Sequence, residues 1–227
     1  MPSGLKKYEK NIMPLYKTIN FSRNEAITTK ILVWEITESF DDLFSEVVLN
    51  MKNRIRLDNM RSELHQRGFL SVRKLLQEAG YNDLDLYYDE FGKPHLNDGK
   101  HISITHSHHF SAIILSDETV GIDIELQREK IIRIADKFAD EEFNYLDKNN
   151  LKEYIKKLTV IWGAKEAIFK IRNEKGISFK NHIKVKDFSI KDTELKAELH
   201  FDNLVKAFKI FHEEIDGFGL VYAFQEE

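Results

Sequence analysis

The heptapeptide Val120-Gly-Ile-Asp-Ile-Glu-Leu126 alternates strictly between apolar and acidic side chains over its last five residues. As a strand it places Ile122, Ile124 and Leu126 on one face, with Asp123 and Glu125 on the other. At a rise of about 3.3 Å per residue the two carboxylates leave the backbone roughly 6.6 Å apart, close enough to converge on one hard cation. The solvated face of any half-buried strand carries the same alternation, so the pattern by itself leaves both readings open.

A second constellation, Trp162-Gly-Ala-Lys-Glu-Ala-Ile-Phe-Lys170, sits inside a helical pattern. Trp162, Glu166 and Lys170 share one face at i, i+4 and i+8; as an isolated pair, Glu166 and Lys170 would be an ordinary exposed ion pair. Lys165 falls within the apolar stripe, between Trp162 and Phe169, and either snorkels at the edge of the core or reaches into a cleft toward an anion. A third group is Phe91-Gly-Lys-Pro-His-Leu96 followed by Ser103-Ile-Thr-His-Ser-His-His109. Lys93, in a rigid Gly/Pro turn, is either a fixed point charge for phosphate or an exposed turn lysine. The hydroxyls and His106 could donate to phosphate oxygens. A transition-metal site from His101, His106, His108 and His109 is set aside because strand neighbours such as His108 and His109 point to opposite faces. Those two are read as loop histidines.

The elements that must position these groups follow from periodicity. Ile31–Ile36 reads as a strand, residues 41–52 turn helical, and Ser62–Ala79 is a helix with Leu64, Phe69, Val72, Leu75 and Leu76 at three- to four-residue spacing and Gly80 as its C-cap. HISITHS, SAIILSD and VGIDIEL are three successive strands, read as a β-meander with a hairpin at Ser116–Thr119. Ile131–Phe138 and Glu141–Leu146 are short helical pieces, Leu151–Arg172 is a long helix, and HIKVKDFSI, LKAELHF, VKAFKIF and FGLVYAF close the chain as antiparallel strands. Both halves run from a strand through helices to strands, which hints at a duplicated α+β unit with residues 1–117 in one half, 118–227 in the other and a ligand cleft between them.

The 227 residues, 42% hydrophobic and 32% charged, have the composition of a folded globular protein. A net charge of −4 argues against a broad nucleic-acid-binding surface, and zero cysteines exclude disulfides, thiolate metal sites and cysteine nucleophiles. The charges scattered through the first 17 residues do not read as a secretory signal, and no stretch has the roughly 18 apolar residues of a membrane helix, so a cytoplasmic protein with no membrane partner is expected.

Taken together and in this order, the three constellations resemble the 4′-phosphopantetheinyl transferases, in particular their longer, two-halved, surfactin-synthetase-activating type. The family's G-[IV]-D-[IV]-E strand stands here as Gly121–Glu125 and its W-x-x-K-E-[AS]-x-x-K helix as Trp162–Lys170; the G-K-P turn and the I-[ST]-H-S segment resemble its coenzyme A-binding stretches. The resemblance implies an α+β fold of two similar subdomains related by pseudo-twofold symmetry. It implies Asp123, Glu125 and Glu166 as Mg²⁺ ligands, with Lys165 and Lys170 facing the phosphates. Lys93 would meet the 3′-phosphate of coenzyme A, with Thr105 and His106 on the nucleotide's phosphate oxygens; Thr105 replaces the family's usual Ser. The implied reaction is attack by a serine of an apo acyl or peptidyl carrier protein on the β-phosphate of coenzyme A, with Glu166 as base, by a monomer that already holds both halves of the cleft. Two further readings stand beside it: a metal-dependent phosphohydrolase of small esters, and an inactive module that binds coenzyme A or a carrier.

Overall fold

The computed structural model describes the backbone of residues 15–24 and 27–226, and the side chains of 15–20 and 28–226. Most of the N-terminal segment read for a secretory signal therefore lies outside the described residues. Strands β1 (Leu15–Asn24) and β2 (Ile27–Glu35) lead into helices α1 (Phe40–Glu46), α2 (Met51–Asp58) and α3 (Glu63–Glu78). A small hairpin, β3 (Leu86–Tyr88) with β4 (Pro94–Leu96), precedes β5 (His101–Ser107), β6 (Phe110–Ser116) and β7 (Val120–Leu126). Two 3₁₀ turns, η1 (Glu129–Lys137) and η2 (Glu141–Tyr145), then lead to helix α4 (Leu151–Arg172), the single turn α5 (Phe179–His182) and strands β8 (Ile183–Val185), β9 (Leu195–Phe201), β10 (Leu204–Ile215) and β11 (Phe218–Gln225).

The strands form one four-stranded sheet, ordered β1-β2-β6-β5, and one five-stranded sheet, ordered β7-β11-β10-β9-β8. Period-two alternation decides what each face meets. On β2, Leu32 and Trp34 join Phe69, Leu70, Leu75 and Leu76 of α3 in one core. Ile31 and Val33 point the other way and pack with Phe110, Ile114, Ile122, Ile124, Phe218 and Leu220. The second sheet's far face receives Leu158, Ile161, Ala164 and Ile168 of α4 against Val221 and Ala223. The result is an α+β stack of helix, sheet, sheet and helix, with an apolar layer at each of its three interfaces.

Several elements differ from the sequence reading. The helix read over 41–52 is two helices, because Ser39 caps the first and Asn50 accepts from Asn53 N–H to start a second. Leu64 is 43% exposed, so the apolar face of α3 begins at Phe69. The correction that matters for the site concerns β7. The reading paired β6 with β7 as a hairpin, yet β6 pairs with β2 and β5, while β7 pairs with β11 alone, from Phe218 opposite Leu126 to Phe224 opposite Val120. The turn at 117–119 instead carries the chain from one sheet to the other. The physical reason is that both faces of β7 need cover: Ile122 and Ile124 pack on the first sheet, and Asp123 lies beneath α4 at only 7% exposure.

Candidate active site

Two glycines seat α4 on β7. A Cβ on Gly121 would lie 2.0 Å from the Ala167 carbonyl oxygen, so helix backbone touches strand backbone there, and a Cβ on Gly163 would lie 2.7 Å from Val221 Cγ2 and 3.7 Å from Asp123 Oδ2. This close approach brings the Glu166–Lys170 face of the helix over the acidic face of the strand. Lys170 Nζ donates to Asp123 Oδ1 at 2.9 Å and to the Ile122 carbonyl at 2.8 Å. Asp123 Oδ2 is buried and takes no hydrogen bond.

The carboxylates feel one another. Burial and then the charge of Asp123 raise the Glu166 carboxyl from 4.5 to about 7, with Glu125 adding to the rise and Lys170 opposing it. Burial likewise pushes Glu125 up, against a hydrogen bond from Ser107 and reinforced by Asp123. Among the described residues no three His, Asp or Glu side chains already stand as a finished metal site. The donor set nonetheless suits a hard cation: three carboxylates in mutual electrostatic contact, one buried oxygen with no partner, and a single lysine as counter-charge.

Residues 119–221, the stretch that contains these groups, match the family model of the 4′-phosphopantetheinyl transferase superfamily. That match covers a little under half of the chain, and over it the chain is similar to the superfamily. It is similar to 4′-phosphopantetheinyl transferase gsp of Aneurinibacillus migulanus, at 27% identity over 152 residues covering 65% of this chain and 62% of the relative. It is also similar to 4′-phosphopantetheinyl transferase ffp of Bacillus subtilis, at 27% identity over 149 residues, 62% of this chain and 66% of the relative. Each alignment thus spans just under two thirds of the relative's own length.

The structure gathers Asp123, Glu125, Glu166 and Lys170, and it sends Lys165 elsewhere. The Lys165 side chain is fully buried; its ammonium pairs with Glu142 at 2.7 Å and donates to the carbonyls of Phe138 at 2.7 Å and Phe179 at 3.1 Å. Burial lowers the Lys165 pKa, with Glu142 opposing. Glu142, itself fully buried, is pushed up by burial but held below the usual carboxylate range by Lys165 and by the N–H groups of Asp140 and Val185. Lys165 therefore pins η2 and the start of α5 to α4, with its three donors directed away from the carboxylates.

Lys93 reaches the other end of α4. Its Nζ donates to the Ile171 carbonyl at 2.6 Å, closing the β3–β4 hairpin on the helix C-terminus, and burial lowers its pKa, with Asp89 opposing. His106 lies against Gly68 of α3, its ring 6.2 Å from that of His65. The surrounding walls lower its pKa first, and His65, Lys170 and Arg56 lower it further. His106 thus stands in a positively charged corner next to the Lys170 side of the site. Thr105 is buried, and its hydroxyl donates to Asp123 Oδ1 at 3.1 Å while accepting from Ile124 N–H at 3.2 Å.

Two interactions escaped the sequence reading, which offers the Ser107 hydroxyl to phosphate oxygens only. Ser107 donates to Glu125 Oε2 at 3.0 Å, and Glu142 is the counter-ion of Lys165. The first left a signal, since the small polar residues of HISITHS recur at period two like the acids of β7. The second left none, because a 3₁₀ turn carries no long periodicity.

Proposed function

We propose that this chain transfers the 4′-phosphopantetheine moiety of coenzyme A to a serine hydroxyl of an apo carrier protein, with Mg²⁺, and releases adenosine 3′,5′-bisphosphate. The observation that carries the reading is the meeting of Asp123, Glu125, Glu166 and Lys170 beneath α4, inside the stretch matched by the family model.

Asp123, Glu125 and Glu166 would hold the cation. When bound, Mg²⁺ would supply charge neutralisation to the coenzyme A pyrophosphate whose bridge is cleaved. The chain's own groups do the rest. Lys170, already fixed between the Ile122 carbonyl and Asp123, adds a positive charge beside the transferring phosphoryl group. The reading assigns the nucleotide's phosphates to His106, in the corner shared with His65 and Arg56, and to Lys93, at the C-terminal end of α4. In the reaction the serine oxygen forms a bond to the β-phosphorus, and the bond from that phosphorus to the bridging oxygen breaks. The leaving group is adenosine 3′,5′-bisphosphate, and the serine proton passes to a Glu166 carboxylate oxygen, directly or through a water.

The test is chromatography of the nucleotide products. Adenosine 3′,5′-bisphosphate is expected from coenzyme A and Mg²⁺ only when an apo carrier is present, in amounts equal to the carrier modified. Release without carrier would mark a phosphohydrolase, and no release with a panel of carriers would contradict the reading.

A further inference from the structure

Strands β5 and β7 are the edge strands that face each other where the two sheets meet, and no backbone ladder joins them. Hydroxyls from β5 do that work instead. Ser103 Oγ accepts from Ile122 N–H at 3.2 Å and Thr105 Oγ1 accepts from Ile124 N–H at 3.2 Å, so alternate N–H groups of β7 find partners across the seam. The same row reaches the acids: Thr105 donates to Asp123 Oδ1 at 3.1 Å and Ser107 donates to Glu125 Oε2 at 3.0 Å. Ser103, Thr105 and Ser107 are all at least nine-tenths buried, so water does not compete for these bonds.

A hydroxyl has one proton to donate. Thr105 gives it to Asp123, which leaves none for a phosphate oxygen and argues against the nucleotide contact expected from the sequence. The bond also fixes which Asp123 oxygen is spoken for. Oδ1 receives both Thr105 and Lys170, while Oδ2 stays buried without a partner, turned toward the Gly163 side.

Resting on the cation reading of the proposed function, we propose that Thr105 and Ser107 are positioning residues for the divalent-cation site: each ties one oxygen of a β7 carboxylate to the first sheet and presents the other oxygen to the ion. Cation affinity is then set by side chains of the sheet that carries no cation ligand. Groups that orient metal ligands in this way typically contribute 10- to 100-fold in affinity.

The experiment measures Mn²⁺ binding by the loss of the free-ion EPR signal, with coenzyme A present, for the wild type, Thr105→Val, Thr105→Ser and Ser107→Ala. Coenzyme A affinity is measured separately in EDTA, and folding by thermal melting. The expected result is Mn²⁺ affinity about 10- to 100-fold weaker for Thr105→Val and Ser107→Ala, restored in Thr105→Ser, with metal-free coenzyme A affinity unchanged. Unchanged Mn²⁺ affinity in Ser107→Ala and in a folded Thr105→Val would overturn the inference while leaving the proposed function intact. Loss of metal-free coenzyme A affinity in Thr105→Val would return Thr105 to the phosphate and equally overturn it. Should Thr105→Val not fold, Ser107→Ala decides alone. A wild type that takes up no Mn²⁺ would fail the underlying cation reading itself.

Discussion

Two lysines five positions apart on α4 do opposite jobs, and burial separates them. Lys165 is enclosed with Glu142, so removing its charge strands a carboxylate in the core; such a loss costs about 3–5 kcal/mol. Lys165→Met should therefore lower the denaturant midpoint markedly, whereas Lys170→Met, at a half-buried site, should leave folding nearly intact and abolish transfer. Equal stability of Lys165→Met and the wild type, with weakened coenzyme A binding, would return Lys165 to the phosphates. Glu166 supplies a pH signature. Its carboxyl lies at about 7 in the cation-free fold against an ordinary 4.5, so folding favours the protonated form. In EDTA, the contribution of Glu166 to stability should be fully present below about pH 4.5, fall as pH rises, and be lost above about 7, so the difference between the wild type and Glu166→Gln should change across that window. Parallel stability curves for the two proteins between pH 5 and 8 would refute it. At this scale the sequence was legible where chemistry had a period: alternation found Asp123 and Glu125, and helical spacing found Glu166 and Lys170. It was silent where a partner came from afar. The apolar stripe leaves Lys165 between the edge of the core and an anion, and the resemblance points it to the phosphates, because nothing in the local pattern announces Glu142 on a separate 3₁₀ turn.

The site exists because one helix can lie directly on one strand. A Cβ at Gly121 would meet the Ala167 carbonyl, which cannot move without the helix, while a Cβ at Gly163 would meet the side chain of Val221, Cγ2 at 2.7 Å and Cβ at 3.0 Å, which a shift of that one residue relieves. Gly121→Ala should therefore be the more damaging substitution, destabilising by about 1–3 kcal/mol through overpacking and lifting Glu166 away from Asp123. Gly163→Ala should cost less. Thermal midpoints and transfer rates of the two variants check the order, and the reverse order would show that the backbone contact is not what limits the approach. The long helix and most strands were readable from their apolar periods. The pairing of β7 was not, because a short polar turn looks alike whether it closes a hairpin or hands the chain to another sheet, and only the need to cover both faces of β7 decides between them.

Over the whole molecule, α+β content and the separation of early and late strands into two sheets follow from alternating patterns that bury one face on a helix and the other on the opposite sheet. What the sequence could not convey is that the sheets meet edge to edge through hydroxyls, at the place where the acids of β7 gather. The arrangement makes the two sheets one chemical unit, so damage on either side of the seam should reach the reaction. The central claim is tested most directly by intact-mass spectrometry of an apo acyl or peptidyl carrier protein incubated with coenzyme A and Mg²⁺. The wild type should add the mass of one phosphopantetheine arm per carrier, and the gain should vanish with EDTA and with a folded Asp123→Ala variant. An undiminished gain with Asp123→Ala, or none from the wild type on any carrier, would contradict the account.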